Sequence, residues 1–321
     1  MTFFLKRLCF TIPLMLLISF LAFALMHLAP GGPFDKERAP ASPEIKRALE
    51  TKFHLNEPVW RQYLRYLGLL WEKKRDGTWG RVEGGLLKGD FGPSMKYRNH
   101  TVTDIIAQGL PVSLSLGAMA FCCAVGLGIP LGFLTAARRG HWQDYAGSFF
   151  ALLLICVPAL VVGPVLIMLF AIHWRWFPVA LWGGWTHLVL PTLTLGLYFA
   201  GRISRLTREG MLTTLHAEFI TTARAKGLSE TAVLLKHAFP FAVLPVVSYS
   251  GPMLADLLTG SFVVENIFQI PGIGVFMVNS TLNRDYTMVV GLVLIYAFLL
   301  LLLNLLVDFS YGLLDPRVKY E

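Results

Sequence analysis

Six long apolar segments constrain this sequence more than any other feature. Each is long enough to cross a hydrocarbon core of about 30 Å at about 1.5 Å per helical residue. The predicted spans cover residues 8–28, 110–137, 145–172, 188–206, 239–260 and 287–314. Only 15% of the residues are charged, against about 25% in soluble domains. The sequence therefore predicts an all-α membrane protein with six transmembrane helices.

The first span is interpreted as a retained helix rather than a signal peptide. Its basic start is followed by an apolar run of about 20 residues, longer than a typical signal-peptide core, and no clear small-residue cleavage site follows. The predicted organisation is a first transmembrane helix at residues 1–29, an extracytoplasmic polar region at 30–109, and a membrane core at 110–321.

Two helices are predicted within the polar region. "SPEIKRALETKF" offers Ser42 as the N-cap and Pro43 in the first turn. "NEPVWRQYLRYLGLLW" places five apolar or aromatic residues on one helical face, which could lie on the membrane surface or pack on the spans. These are Trp60, Tyr63, Leu64, Leu67 and Trp71.

The distribution of basic residues predicts the orientation. With the N-terminus in the cytoplasm, twelve lysines and arginines lie at cytoplasmic ends, whereas the two short outer loops hold only Arg175 and Arg284. The long loop at 30–109 is disregarded because long loops cross largely regardless of charge. Both termini and the loop at 215–238 are therefore predicted to be cytoplasmic. The net charge of +8 is explained by orientation in the lipid bilayer, so no nucleic-acid partner is expected.

The cytoplasmic loop at 215–238 is longer than a connector needs to be. "EFITTARA" favours a helix, Gly227 can adopt the left-handed conformation that ends one, and Ser229 can cap a second helix that runs to Pro240. Such an elbow suits insertion into a groove of a cytoplasmic partner. An amphipathic helix held at the interface by anionic lipid explains the residues equally well.

The same loop resembles the "EAA" signature of ABC importer permeases. The matching positions are Thr221, Thr222, Ala223, Gly227, His237, Phe239 and Pro240. Thr221 replaces the glutamate of the signature and His237 its isoleucine, but the peptide branch of the family commonly has "RTARAKGLS". Further stretches, including "LLKGDFGPS", "GSFVVENIFQIPGIGVFMVNSTLNRDYTMVVG" and "NLLVDFSYGLLDPRVKY", resemble the B-type permease subunit of oligopeptide and dipeptide ABC importers over nearly the whole chain.

This resemblance implies a channel half with the type I ABC importer (MetI-like) permease fold and a long outer loop between helices 1 and 2. It implies uptake of oligopeptides across a bacterial inner membrane. The implied partners are a second, C-type permease, two cytoplasmic ABC ATPases and an extracytoplasmic peptide-binding protein. The loop would then be the ATPase-coupling element, with Arg224 and Lys226 among its residues. Dipeptides, nickel or glutathione are alternative substrates on the same scaffold. An ion-driven secondary carrier is the alternative from another class, although no inverted repeat is visible.

No catalytic function is expected. The sequence contains neither a phosphate-binding G-x-x-x-x-G-K-[ST] loop nor the H-E-x-x-H or G-x-S-x-G motifs of hydrolases. This chain is therefore predicted to bind no cofactor and no metal, and ATP and Mg²⁺ would be used by the partner ATPase subunits.

Polar residues within the predicted spans are candidates for the pathway because burying them in lipid is costly. Asp256 in the fifth span could face the pathway or pair within the bundle. In the sixth span one helical stripe is better explained by packing than by substrate binding; it consists of Asn304, Asp308, Tyr311 and Asp315. Close helix packing is also expected at Gly126, Gly128 and Gly132.

A last set of candidates follows the fifth span. Proline and glycine exclude a continuous helix through "QIPGIGV". Broken backbone at membrane depth is tolerated where it lines a cavity or is covered by protein, so either a re-entrant outer gate or an ordinary loop fits, and the resemblance favours the gate. The candidates are Glu265, Pro271, Gly272, Gly274, Arg284 and Asp285.

Overall fold

The computed structural model describes residues 2–28, 31–34, 43–73, 78–97 and 99–314, and is mostly helical. The predicted cap Ser42, the stripe residue Asp315 and the side chains of Asp308 and Tyr311 lie outside this described part. The α-helices are α1 (Thr2–Leu28), α2 (Pro43–Lys52), α3 (Val59–Leu67), α4 (Val102–Ala137), α5 (Trp142–Cys156), α6 (Ala159–Leu166), α7 (Trp185–Leu215), α8 (Glu218–Ala225), α9 (Glu230–Ala232), α10 (Phe239–Ala242), α11 (Leu244–Leu258), α12 (Phe262–Ile267), α13 (Ile273–Asn283) and α14 (Tyr286–Leu314).

The remaining elements are short. A 3₁₀ turn covers Leu86–Lys88, and π-helical segments cover Ile167–His173 and Val233–Ala238. Strands β1 (Trp71–Lys73) and β2 (Trp79–Arg81) pair antiparallel. This hairpin in the predicted polar region is an addition to the expected all-α architecture.

Three helices of the described chain are long and apolar enough to cross a membrane: Phe10–Leu28, Val102–Ala137 and Tyr286–Val307. Two bent helix pairs would raise the number to five if each pair is one span. α7 contains the predicted fourth span but is not among these helices, and it carries Arg202 and Arg205 within the predicted range. Several apolar helices are thus confirmed, and the count of six stays a prediction.

The predicted third span is not one straight helix. α5 and the helix that follows it are bent by 103°. The bend falls at Val157, which has extended backbone angles, followed by Pro158. The residue before a proline is disfavoured in the α conformation, so the sequence "CVPA" ends the first half where the prediction continued it.

The chain divides into two units, and the described residues within 1–111 and 272–298 form the first. In this unit α3 packs on α1: the Tyr63 ring lies 5.3 Å from that of Phe23, and the Tyr63 hydroxyl is 2.7 Å from Ser19 Oγ. Of the two alternatives for this helix, packing on a span is therefore confirmed. The predicted aromatic face is wrong at one end, because α3 ends at the left-handed Gly68 and Trp71 lies in β1.

The second unit comprises the described residues within 112–271 and from 299 onward. Its main core joins α4, α7, α11 and α12 through buried side chains that include Leu116, Leu190, Ile203, Met253 and Phe268. Burial of large apolar side chains such as these contributes roughly 1.5–3 kcal/mol each.

Small residues set the spacing of α4 and α7. A Cβ on Gly128 would lie 2.6 Å from the Ala200 carbonyl oxygen, and one on Gly132 would collide with the Ser204 carbonyl oxygen. The packing interpretation is confirmed for these two glycines, whereas a Cβ on Gly126 would meet nothing within 4 Å. In the sixth span Asn304 packs against Gly251 of α11, as expected for a packing stripe.

Candidate functional site

The predicted coupling loop forms two helical segments that meet at Gly227. α8 ends at Ala225, and Gly227 follows with a φ of +80° while its N–H donates to the Arg224 carbonyl at 2.9 Å. Ser229 then caps the next segment, its Oγ accepting the Ala232 N–H at 3.4 Å. The left-handed glycine and the serine cap are both confirmed.

The second segment continues past Pro240, where the sequence predicted its end. α9 leads into the π-helical segment Val233–Ala238 and then α10, with Pro240 in the first turn of α10. In a regular α-helix the proline ring would collide with the carbonyl four residues earlier. The wider π turn removes that conflict, so the helical segment continues through Pro240. It ends at Ala242. We call residues 218–242 the elbow.

One face of the elbow is anchored in a small core. Ile220, Ala223 and Val233 are buried, and they pack with Met211 of α7 and Ala136 of α4. Ala223 therefore positions α8 rather than presenting a contact surface. The elbow is thus anchored to α4 and α7 by these buried side chains.

The other face of the elbow is open. Thr221, Thr222, Lys226 and Pro240 are exposed, and a Cβ on Gly227 would meet nothing within 4 Å. Arg224 crosses the turn to Glu230, with Nη2 2.8 Å from Oε1. Apolar side chains are exposed beside these polar groups: Phe219, Leu228 and Leu235. This surface combines basic and apolar groups.

The second candidate region is the broken segment, which we define as residues 262–285. α12 ends at Ile267, residues 268–272 are not helical, and α13 begins at Ile273, so the predicted break is confirmed. Gln269 adopts a positive φ of 53° within it. Pro271 is exposed, whereas Gly272 and Gly274 are buried. Gly272 and Ile273 lie against Gly109 of α4, where a Cβ would be 3.0 Å from Ile273 Cγ2.

Glu265 lies in the core of the second unit. Its relative exposure is 0%, and its Oε1 accepts a hydrogen bond from the Ser113 hydroxyl at 2.7 Å. A buried carboxylate needs such partners because desolvation is costly. Glu265 thus ties α12 to α4 and faces the interior of its unit.

Asp285 is the corresponding acid of the first unit, and it is also 0% exposed. Its carboxylate accepts from the Ser94 hydroxyl and from the backbone N–H groups of Met95 and Lys96. It also accepts from the Thr287 hydroxyl and caps α14 through the Met288 N–H. Asp285 therefore organises the loop at 94–96. Burial, and then the charge of this carboxylate, raise the pKa of Tyr97.

Arg284 occupies the left-handed cap of α13, with a φ of 57°. Its guanidinium packs against Gly31, where a Cβ would collide with it. Of the candidates in the broken segment, the two acids are thus buried in their respective units, and Pro271 is the exposed member.

Asp256 is placed differently from Glu265 and Asp285. It lies on an exposed face of α11, within the last turn of the helix. In the part of the chain that the structure describes, no cluster of three or more His, Cys, Asp or Glu residues could hold a metal ion.

The sequence patterns missed the partners of the buried acids. Ser94 lies 191 residues from Asp285 and Ser113 lies 152 residues from Glu265, so no local signal identifies them. A partly buried ion pair between α5 and α7 was missed too: Arg208 binds the buried Asp144 with two hydrogen bonds, at 2.8 and 3.1 Å. The only hint of this ion pair in the sequence is the acidic residue Asp144, shortly after the basic turn Arg138–Arg139.

Two family models match the chain. "Binding-protein-dependent transport system inner membrane component" matches residues 128–320, and the N-terminal model of the same kind of membrane component matches residues 1–117. Among curated proteins, the oligopeptide transport system permease protein OppB of Haemophilus influenzae is 41% identical over 99% of both chains. The dipeptide transport system permease protein DppB of Bacillus subtilis is 40% identical over 95% of this chain and 93% of its own.

Solved structures share the fold. The MetNI methionine ABC transporter, in an inward-facing conformation, matches with a TM-score of 0.56 and 16% identity over 66% of this chain and 96% of its own. An amino acid ABC transporter with histidines matches with a TM-score of 0.52 and 16% identity over 65% of this chain and 94% of its own. At this identity the likeness concerns the fold, which is the type I importer permease fold.

Proposed function

Because the chain belongs to the family of binding-protein-dependent transport system inner membrane components, we propose that it forms half of the membrane pathway through which an ATP-binding-cassette importer takes up oligopeptides. The chain is a multi-pass membrane permease subunit and not an enzyme. One observation carries the oligopeptide assignment: 41% identity to an oligopeptide permease over 99% of both chains.

The importer includes ATPase and binding-protein partners, as the family description implies. The proposed composition is this chain, a C-type permease, two cytoplasmic ABC ATPases and an extracytoplasmic peptide-binding protein. This chain binds no cofactor in the proposal; the ATPases bind ATP and Mg²⁺ and supply the free energy. Binding of ATP then biases a membrane bundle between two states.

The elbow is the proposed contact with an ATPase. Its support is the resemblance of Thr221–Gly227 to the coupling signature, the anchored inner face at Ile220 and Ala223, and the open outer face around Gly227. A coupling element has to be rigid toward its own spans and accessible to its partner, and the two faces meet these two requirements.

The proposed location is a bacterial inner membrane, with both termini and the elbow cytoplasmic and residues 30–109 outside. The support is the bias of twelve basic residues against two. Single cysteines at positions 42 and 229, in a background without other cysteines, are expected to react with impermeant maleimide from opposite sides. Labelling of both in intact cells would contradict this orientation.

The function is tested by transport in proteoliposomes. The four membrane and ATPase subunits, together with the binding protein, are expected to take up radiolabelled tri- to pentapeptides only with ATP. Omission of this chain is expected to abolish uptake. A Walker-lysine variant of the ATPases is the control for ATP-independent leakage.

A dipeptide substrate is the second candidate, favoured by 40% identity to a dipeptide permease. Competition with unlabelled dipeptide, nickel or glutathione separates these substrates on the same preparation. Stronger competition by a dipeptide than by a tetrapeptide would reassign the substrate, and uptake driven by an ion gradient without ATP would overturn the proposal altogether.

A further inference from the structure

One face of the hairpin formed by β1 and β2 carries two tryptophans and two cations. Trp71 lies opposite Arg81, and Lys73 lies opposite Trp79. Residues directly opposite each other, and residues two apart along a strand, point to the same side of a sheet. These four side chains therefore share one face, and all four are exposed, Trp71 by 57% and Trp79 by 69%. We call these four residues the hairpin face.

The opposite side of the hairpin is held against α3. Glu72 points away from the hairpin face, and its Oε2 lies 2.9 Å from Arg65 Nη2. The Val82 N–H donates to the Leu70 carbonyl at 3.0 Å, which extends the pairing of the strands by one residue. Among the described residues, neither cation of the hairpin face has an acidic partner. The hairpin is thus fixed on one side and presents aromatic and basic side chains on the other.

α3 packs on α1 at the depth of the first predicted span. The Tyr63 hydroxyl lies 2.7 Å from Ser19 Oγ and donates to the Leu16 carbonyl at 3.3 Å. From Leu16 to the end of the span at Leu28 is about 18 Å along a helix. β1 begins four residues after α3 ends, a distance of at most about 14 Å in an extended chain. This geometry brings the hairpin close to the bilayer.

The composition of the hairpin face favours lipid over a protein partner. Tryptophan is enriched at membrane–water interfaces, and lysine and arginine are attracted to anionic lipid surfaces. Protein–protein interfaces also use tryptophan and arginine but are depleted in lysine. We propose that the hairpin face binds the headgroup region of the bilayer, with both tryptophan rings at the interface and both cations on the phosphates of anionic phospholipids. This contact goes beyond the proposed function, because it requires no particular substrate.

The test measures the depth of a spin label beside the hairpin face. Thr78→Cys, in the background without other cysteines, places the label next to Trp79 and keeps the four side chains of the face. The permease–ATPase complex is reconstituted in phosphatidylcholine vesicles with or without phosphatidylglycerol. Oxygen concentrates in lipid and a nickel chelate stays in water, so the ratio of the label's accessibilities to them reports contact with the bilayer. Ala48→Cys, at an exposed position of α2 on the same predicted side, is the control.

The expected ratio depends on lipid charge. At position 78 it is expected to exceed the ratio at position 48 at least about twofold, and to rise further with phosphatidylglycerol, since each cation strengthens binding to an anionic surface about fivefold. Lys73→Gln combined with Arg81→Gln is expected to remove the rise caused by phosphatidylglycerol. Trp71→Ser combined with Trp79→Ser is expected to lower the ratio in both kinds of vesicle, because the interfacial anchors are lost.

A matched variant controls for net charge. Lys46→Gln combined with Arg47→Gln removes the same charge from α2 and is expected to leave the ratio at position 78 unchanged. Co-purification with the second permease is expected to be normal in every variant, since the hairpin face is exposed. If the double tryptophan variant does not assemble, the double cation variant still tests the proposal through its response to phosphatidylglycerol.

Three results would overturn the lipid contact. Equal ratios at positions 78 and 48 in both kinds of vesicle would place the hairpin face in water. An equal loss in the α2 variant would assign the effect to net charge rather than to this face. Protection of the label from both oxygen and nickel, appearing only when the binding protein is added, would assign the face to protein docking. The measurements use neither ATP nor peptide, so their outcome is separate from that of the transport assay.

Discussion

The elbow and the broken segment have similar sequence patterns, but their charged residues differ in burial. Each consists of a short helix, a break that contains glycine, and a second helical segment. In the elbow the break is open to solvent, and its charged side chains pair at the surface, Arg224 with Glu230. In the broken segment the acids Glu265 and Asp285 are fully buried and are held by hydroxyl groups from distant residues.

The difference shows what a helix–break–helix pattern can and cannot indicate. The break itself is local, because proline, glycine and caps determine it. Whether the break is exposed to a partner or buried within the protein depends on which residues pack against it. We therefore expect substitutions in the broken segment to act mainly on stability, and substitutions in the elbow mainly on communication with ATPases.

The largest effect is expected at Asp285. Asp285→Ala removes the acceptor of five hydrogen bonds, including those from the backbone N–H groups of Met95 and Lys96. Leaving buried donors unpaired is expected to cost at least about 3 kcal/mol. The measurement is the Tm of the detergent-solubilised complex and its yield. Asp104→Ala, which loses only exposed hydrogen bonds from Thr101, is the control, and a similar Tm for both variants would contradict the comparison.

Glu265 is expected to give the next largest effect. Glu265→Ala is expected to cost about 2 kcal/mol, because it leaves the Ser113 hydroxyl without this buried partner. A double-mutant cycle with Ser113→Ala measures the coupling, expected to be about 1–2 kcal/mol. Additive effects of the two substitutions on Tm would mean that the contact between Glu265 and Ser113 contributes nothing to stability.

Substitution of Gly227 is expected to impair transport more than stability, the opposite of substitutions at Asp285 and Glu265. Gly227→Val strains a backbone with φ of +80° by about 1–2 kcal/mol, comparable with a typical coupling free energy of about 1–3 kcal/mol. Peptide uptake per ATP hydrolysed is expected to fall about fivefold or more, or the ATPases to be lost on purification, while pairing with the second permease is retained.

Gly140 provides the control for that strain. It has a φ of +78°, open space around it and the same predicted side of the membrane, but it lies outside the elbow. Gly140→Val is expected to carry the same strain and to leave the ratio of uptake to hydrolysis unchanged. If Gly227→Val keeps ATPase binding, hydrolysis and uptake at wild-type levels, the elbow is not the coupling element, and the interfacial helix becomes the better explanation.

The smallest effect on stability is expected at the surface pair of the elbow. Arg224→Gln and Glu230→Gln break an exposed ion pair, which typically contributes about 0–1 kcal/mol. Neither variant is expected to shift the Tm measurably. Arg224→Gln is expected to weaken ATPase binding two- to threefold, measured by titration of the ATPases onto immobilised permease. A clear fall in Tm would show that the elbow depends on this pair as the broken segment depends on its acids.

Local chemistry determined how much could be predicted from the sequence. The left-handed Gly227, the Ser229 cap and the break after Ile267 follow from residue types within a few positions, and all three are confirmed. The bend at Val157–Pro158 and the continuation through Pro240 were missed, since the outcome at a proline depends on whether the surrounding helix can bend or widen.

Burial was the part that could not be predicted. Glu265, Asp285 and Asp256 are equally acidic in the sequence, yet the first two are buried and the third is exposed. The environments of Glu265 and Asp285 are set by Ser113 and Ser94, which lie 152 and 191 residues away in the sequence. Long-range pairing of this kind has no periodicity that a single sequence displays.

The close approach of α4 to α7 has a mechanical consequence. With Gly128 and Gly132 against the backbone of α7, and Arg208 bound to Asp144 of α5, these three helices are closely packed. α7 has 31 residues, about 46 Å at 1.5 Å per residue, and the elbow follows it within three residues. We therefore expect a displacement of the elbow by one or two ångströms to move α7 as a whole. In the proposed coupling, the displacement of α7 in the membrane would then be set by how far the elbow moves.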